Sequence, residues 1–182
     1  MINLEEKTVS REDIFNGRVF DVHRDKILLP DNREAFREVV EHNGGVCIAA
    51  VDEENNIYLV EQFRYPLREV TLEVVAGKLE KGEDPLEAAI RELSEEAGLK
   101  TASIRQVGIL YPSPGYCSEK LYLYLATELQ EGEQHLDDGE FLKCIKVPLS
   151  TAVEMVVSDQ IVDGKTKALV LLVDKLTNGE KI

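Results

Sequence analysis

Residues 77–99 read GKLEKGEDPLEAAIRELSEEAGL, and this stretch decides the fold. From Pro85 onward the apolar residues Leu86, Ala89, Ile90, Leu93 and Ala97 recur at i, i+3, i+4, i+7 and i+11, which predicts one buried helix face. Pro85 suits a first helical turn, and Gly98 followed by Leu99 suits a C-terminal stop. Glu92, Glu95 and Glu96 fall at i, i+3 and i+4, so their carboxylates project together. Such neighbours disfavour an isolated helix by roughly a few tenths of a kcal/mol per pair. They also raise one another's pKa unless a cation intervenes. A hard divalent cation with oxygen ligands removes both penalties, and Mg²⁺ in particular keeps positions open for water and substrate phosphates. A solvated acidic helix face carries the same three glutamates, so the spacing of the whole stretch has to decide.

That spacing is Gly-x5-Glu-x7-Arg-Glu-U-x-Glu-Glu-x-Gly-U, with U aliphatic, filled at every fixed position by Gly77, Glu83, Arg91, Glu92, Leu93, Glu95, Glu96, Gly98 and Leu99. The chain thereby resembles the Nudix hydrolases. The resemblance implies an α+β fold, an α/β/α sandwich with a mixed sheet, in which the box forms a loop–helix–loop. It implies Glu92 and Glu96 as principal metal ligands, Glu95 as an additional ligand and the Ala76 carbonyl as a further one. It implies structural roles for Arg91 and Glu83, with the arginine pairing with box carboxylates and holding them in place, and turns permitted by Gly77 and Gly98. The implied reaction is hydrolysis of a nucleoside diphosphate linked to another group, at the pyrophosphate. Mg²⁺, or Mn²⁺ in its place, would polarise phosphates, generate hydroxide and stabilise the leaving oxygen.

Around the box the chain alternates between strand and turn signals. Val46 to Val51 predicts a buried strand, Ile57 to Phe63 and Leu72 to Ala76 two more, and Ser103–Leu110, Leu121–Thr127 and Phe141–Val147 the rest. Ser150 is the expected cap of a helix through Val157, and Lys165 to Leu176 the last helix. Before the core, Arg18–Leu29 and Glu34–Glu41 predict paired strands about a Pro30–Arg33 turn, part of a small antiparallel sheet. Asn43-Gly44-Gly45 marks a boundary. The expected domains are thus residues 1–43, a β segment, and residues 44–182, the hydrolase domain.

Composition narrows the class. The chain has 182 residues, 43% apolar and 31% charged, which is a globular balance. Lys and Arg number 21 against 35 Asp and Glu, a net charge of −14. That surface repels phosphate backbones and argues against nucleic acid as partner, RNA caps included. Any small phosphate ligand then needs local arginines or a metal. The longest apolar runs, Val46–Val51 and Ala168–Val173, have six residues each, against the ~20 a membrane span needs. The acidic N-terminus has no apolar h-region, so no signal peptide is expected. Cys47, Cys117 and Cys144 are far apart and form no CxxC, which fits free thiols in a reducing cytoplasm.

Three features outside the box resemble the ADP-ribose pyrophosphatase branch. Ser113-Pro114-Gly115 follows the box at the position of that branch's marker, so Pro114 and Gly115 are expected at the substrate. The N-terminal β segment has the length of the one that makes a swapped homodimer there and lines the site. Arg37 and Arg64 match positions where relatives bind phosphates, for which arginine supplies bidentate donors. Glu140, in the loop Asp137-Asp138-Gly139-Glu140, matches a glutamate brought over the metals on substrate binding, with Asp137 and Asp138 as competitors for the same role. The implied catalytic residues are Glu140, Glu95 and Arg91. The expected substrate is ADP-ribose, giving AMP and ribose 5-phosphate. An ADP-sugar or dinucleotide hydrolase, or a silent Nudix domain sensing such metabolites, are the alternatives. There is no Trp, so Phe20, Phe36 or Tyr65 are the aromatics available to stack on a base.

Overall fold

A computed structural model describes residues 3–177. It divides into two compact units, one running to Gly44 and including Tyr111–Lys120, the other comprising Gly45–Leu110 and the chain from Leu121 onward.

The first unit is an antiparallel meander of β1 (Lys7–Asn16), β2 (Phe20–Leu28) and β3 (Glu34–His42). Sequence patterning marks β2 and β3 but does not delimit β1, and the reason is physical. Every residue of β1 is exposed, so it has no buried face to produce an apolar alternation. Register shifts at Thr8/Ser10 and Asp13/Phe15 bend it further. The Tyr111–Lys120 loop is clipped to the edge of β3: Val40 N donates to Tyr116 O (2.8 Å) and Ser118 N donates to Val40 O (2.9 Å).

The second unit carries a six-stranded mixed sheet, formed by β4 (Gly45–Val51), β5 (Asn56–Arg64), β6 (Glu69–Lys78), β7 (Leu99–Leu110), β8 (Leu121–Glu131) and β9 (Leu142–Pro148). The order is β7-β8-β4-β6-β5-β9, with β4 and β8 parallel and the other pairs antiparallel. All of β4 is buried because both faces are covered. Cys47, Ala49 and Val51 face one core with Leu149, Ala152, Leu169 and Val173, from helices α2 (Leu149–Val157) and α3 (Gly164–Thr177). Val46, Ile48 and Ala50 face the other, with Ala88, Ala89 and Leu93 of helix α1 (Pro85–Ala97). This is the expected α/β/α sandwich. Each fully buried leucine such as Leu93 contributes roughly 1.5–3 kcal/mol. No helix among the described residues is long and apolar enough to cross a membrane.

Two local expectations are corrected. Ser150 does not cap α2; Pro148 occupies the cap position with no side-chain hydrogen bond, because the chain enters the helix directly from β9. In α1 the buried face is Ala88, Ala89, Leu93 and Glu96, while Leu86 and Ile90 are exposed. The helix is rotated relative to its apolar stripe, and the rotation turns a carboxylate inward.

Candidate active site

Helix α1 is fixed at both ends. Asp84 Oδ1 accepts from Leu86 N (2.9 Å) and Glu87 N (3.2 Å), with Pro85 in the first turn. Gly98 ends it at φ 64°, where a side chain would be strained. The last carbonyls are met by the following loop: Gln134 Nε2 donates to Glu96 O and His135 N donates to Glu95 O.

Within this frame Arg91 collects three acids. Its Nε and Nη2 donate to the two oxygens of Glu83 (3.0 and 3.2 Å), and its Nη1 donates to Glu92 Oε1 (2.8 Å) and Glu95 Oε2 (2.9 Å). Arg91 is held charged chiefly by the Glu83 hydrogen bonds, and Glu83 is held below its ordinary range by Arg91. Glu92 nevertheless lies above its ordinary pKa, because burial outweighs Arg91 and the charges of Glu95 and Glu140 add to it. Glu96, only 5% exposed, is pushed up to about 7 by burial, with Glu92 and Glu140 adding to the shift. Its Oε2 accepts from Ala76 N (3.1 Å), tying the end of α1 to β6.

Gly77 is required by close approach rather than by a turn, which corrects the expectation for it. It lies inside β6, and a Cβ there would stand 1.8 Å from the Cδ of Glu92. Strand and carboxylate are thus in contact, and only glycine permits it.

The expected site residues fall into two groups. Ala76, Arg91, Glu92, Glu95 and Glu96 are gathered at α1 and β6 of the second unit. Glu140 belongs with them electrostatically, since its charge is among those acting on both Glu92 and Glu96. It is exposed in a turn closed by Glu140 N to Asp137 O (3.0 Å), with Gly139 at φ 89°. Arg64 shares a mutual charge interaction with Glu96 and is bound side-on by Glu73, from Nε to Oε1 (2.7 Å) and from Nη2 to Oε2 (2.6 Å). Arg37, Pro114 and Gly115 lie in the first unit, where Arg37 Nε donates to Glu6 Oε2 (3.0 Å). Sequence reasoning missed Glu73. The available signal was a lone acid in the apolar run Leu72–Ala76, nine-tenths or more buried and therefore in need of cations.

Among the described residues no three acidic side chains converge as a ready-made metal cage, because Arg91 and Ala76 N hold those of the box. The donor chemistry fits a hard divalent cation all the same. The set is all oxygen, and buried Glu96 and half-buried Glu92 are carboxylates whose mutual repulsion a cation would relieve.

The NUDIX domain model matches residues 41–169, and the model of the nucleoside diphosphate sugar hydrolase N-terminal domain matches residues 6–40. The chain is 41% identical over 168 residues to the ADP-ribose pyrophosphatase of Bacillus subtilis (strain 168), covering 91% of each. It is also 41% identical over 164 residues to the methanol dehydrogenase activator of Bacillus methanolicus, covering 89% of each. A crystal structure of an ADP compounds hydrolase shares the fold at TM-score 0.84 and 20% identity, covering 97% of this chain and 96% of that one. The box residues that the fold gathers around Arg91 are thus those of a family whose domain model spans most of the chain, and the chain belongs to the Nudix hydrolases.

Proposed function

We propose that the chain hydrolyses the pyrophosphate of ADP-ribose to AMP and ribose 5-phosphate, with Mg²⁺ as its divalent cation and Mn²⁺ as a substitute. The observation that carries this is the 41% identity, across nine-tenths of both chains, to an ADP-ribose pyrophosphatase. We assign Glu92, Glu96 and the Ala76 carbonyl, with Glu95 in addition, to holding the cation. When bound, it polarises phosphate oxygens and lowers the pKa of a bound water.

The chain's own residues do the rest. Arg91 keeps Glu92 and Glu95 oriented. Glu140 takes the proton of the attacking water as the P–O bond of the pyrophosphate breaks, and Gly139 gives its turn the freedom to close. The reach of the Glu140 charge to Glu92 and Glu96 supports Glu140 over Asp137 and Asp138. Arg64, and from the first unit Arg37, Pro114 and Gly115, are assigned to substrate binding. In a chain of net charge −14 those arginines offset the repulsion a dianion meets.

The domain reading is residues 1–43 as a dimerisation and substrate-lining segment and 44–182 as the hydrolase. The proposed assembly is a homodimer in the cytoplasm. The fully exposed β1 and the exposed Ile14, Phe15, Phe20 and Phe36 support a partner surface there. Light scattering would give the dimer mass, and a monomer at micromolar concentration would refute it.

Hydrolysis of a panel of nucleoside diphosphate derivatives with Mg²⁺ tests the assignment, with the largest kcat/KM expected for ADP-ribose. A preference for an ADP-sugar or dinucleotide would move the substrate within the class, and binding without turnover would make the domain a sensor. A second reading, an activator of a dehydrogenase, rests on the equal identity to the methanol dehydrogenase activator. Adding the purified chain to a methanol dehydrogenase and measuring its rate tests that reading.

A further inference from the structure

Strand β6 changes partners at one point. Glu69–Val74 pair with β5, and Val75–Lys78 pair with β4. At that switch Val74 N donates to Thr166 Oγ1 (3.0 Å) at the start of α3. Thr166 Oγ1 and N both donate to Asp163 Oδ2 (2.6 and 2.9 Å). Asp163 Oδ1 receives Lys165 Nζ (2.9 Å), and Lys165 Nζ also bonds Glu73 Oε2.

Glu73 is the hinge of this network. A carboxylate has about four lone-pair sites. Those of Glu73 are occupied by Arg64 Nε and Nη2, Thr71 Oγ1 (2.6 Å) and Lys165 Nζ. Its side chain is 2% exposed, so the carboxylate plane is locked. Burial opposes its charge, yet Arg64, Lys165 and Thr71 together hold its pKa down at about 2. Arg64 is thereby presented with one edge consumed. Its Nη1 has no hydrogen-bond partner among the described residues, and the side chain is 39% exposed beside a cavity of about 370 Å³ lined also by Thr71, Asp163 and Lys165.

We propose that Lys165 is a positioning residue for the reaction: by occupying the fourth site of Glu73 it fixes the Arg64 guanidinium with its free edge toward the substrate phosphates. This rests on the assignment of Arg64 to substrate binding. Two effects follow from Lys165. It stops the carboxylate from rotating, and it shares the charge of Glu73, which would otherwise bind Arg64 alone and compete with phosphate for it.

The test is a kinetic double-mutant cycle with ADP-ribose and Mg²⁺. Lys165→Met is expected to raise KM about five- to tenfold with kcat changed less than about twofold, because one charge-assisted bond orients a binding group. Three donors to Glu73 remain, so the fold is retained. Lys165→Arg, which keeps the charge, is expected to recover most of the loss. In an Arg64→Ala background Lys165→Met is expected to add nothing, since there is no guanidinium left to position. Should Lys165→Met not fold, Lys165→Gln, which keeps an N–H donor group without the charge, enters the same cycle. Full additivity of the two effects, or a wild-type KM in Lys165→Met, would overturn the positioning role while leaving Arg64 as a substrate contact. A wild-type KM in Arg64→Ala would overturn the Arg64 assignment itself, and this inference with it.

Discussion

In metal-free protein, Glu96→Gln should stabilise the fold at the same time as it destroys the activity. Glu96 ordinarily titrates at 4.5 and lies at about 7 in the fold, because burial and the charges of Glu92 and Glu140 disfavour its ionised form. Between those values the native state keeps a proton that the unfolded chain has released, so stability falls as pH rises and the full penalty is reached above about 7. At 1.36 kcal/mol per unit the penalty is about 3 kcal/mol. Glutamine carries no charge, and its carbonyl can keep accepting from Ala76 N, now at 3.1 Å. Thermal unfolding in chelator should therefore show the variant above wild type by roughly 6–12 °C at pH 8, with little difference at pH 5. With Mg²⁺ the gap nearly closes. Wild type gains about 2.7 kcal/mol at a hundredfold excess over Kd, and the variant gains much less. Turnover of ADP-ribose should be nearly lost. A variant less stable than wild type at pH 8 in chelator, or one with an unchanged pH dependence, would refute the account of Glu96.

The remaining predictions are local. Gly77→Ala places a methyl 1.8 Å from Glu92 Cδ, so Glu92 must leave its position; the Mg²⁺-induced rise in Tm should largely vanish while circular dichroism stays native. Glu140→Gln should lower kcat by about 10²–10⁴-fold, the usual worth of a general base, with Mg²⁺ affinity and KM little changed. Asp137→Asn and Asp138→Asn should be mild, and a large loss in either with a mild Glu140→Gln would move the base to that aspartate. Arg37→Ala should raise KM for ADP-ribose by a factor corresponding to about 1.5–3 kcal/mol, and an unchanged KM would remove Arg37 from the substrate. Asp84→Ala should cost about 1 kcal/mol in denaturant unfolding through the lost cap, with KM unaffected.

Residues 77–99 carried the family, the helix and most of the proposed ligands in plain sequence, because one helix holds Arg91, Glu92, Glu95 and Glu96 within two turns and local spacing is enough to bring them together. The continuous burial of β4 was legible for a similar reason, since a strand covered on both faces is apolar throughout. Three things were decided only by tertiary structure. The rotation of α1 that buries Glu96 and exposes Leu86 and Ile90 follows from how the helix meets β4 and β6, not from its own apolar stripe. The need for glycine at position 77 comes from Glu92, which is distant in sequence and in contact in space. The Arg64–Glu73–Lys165 network depends on a bond between Glu73 and Lys165, 92 positions apart. Periodicity reports what a segment does with its own neighbours; a buried charge is tolerated only because of groups that the fold brings from elsewhere.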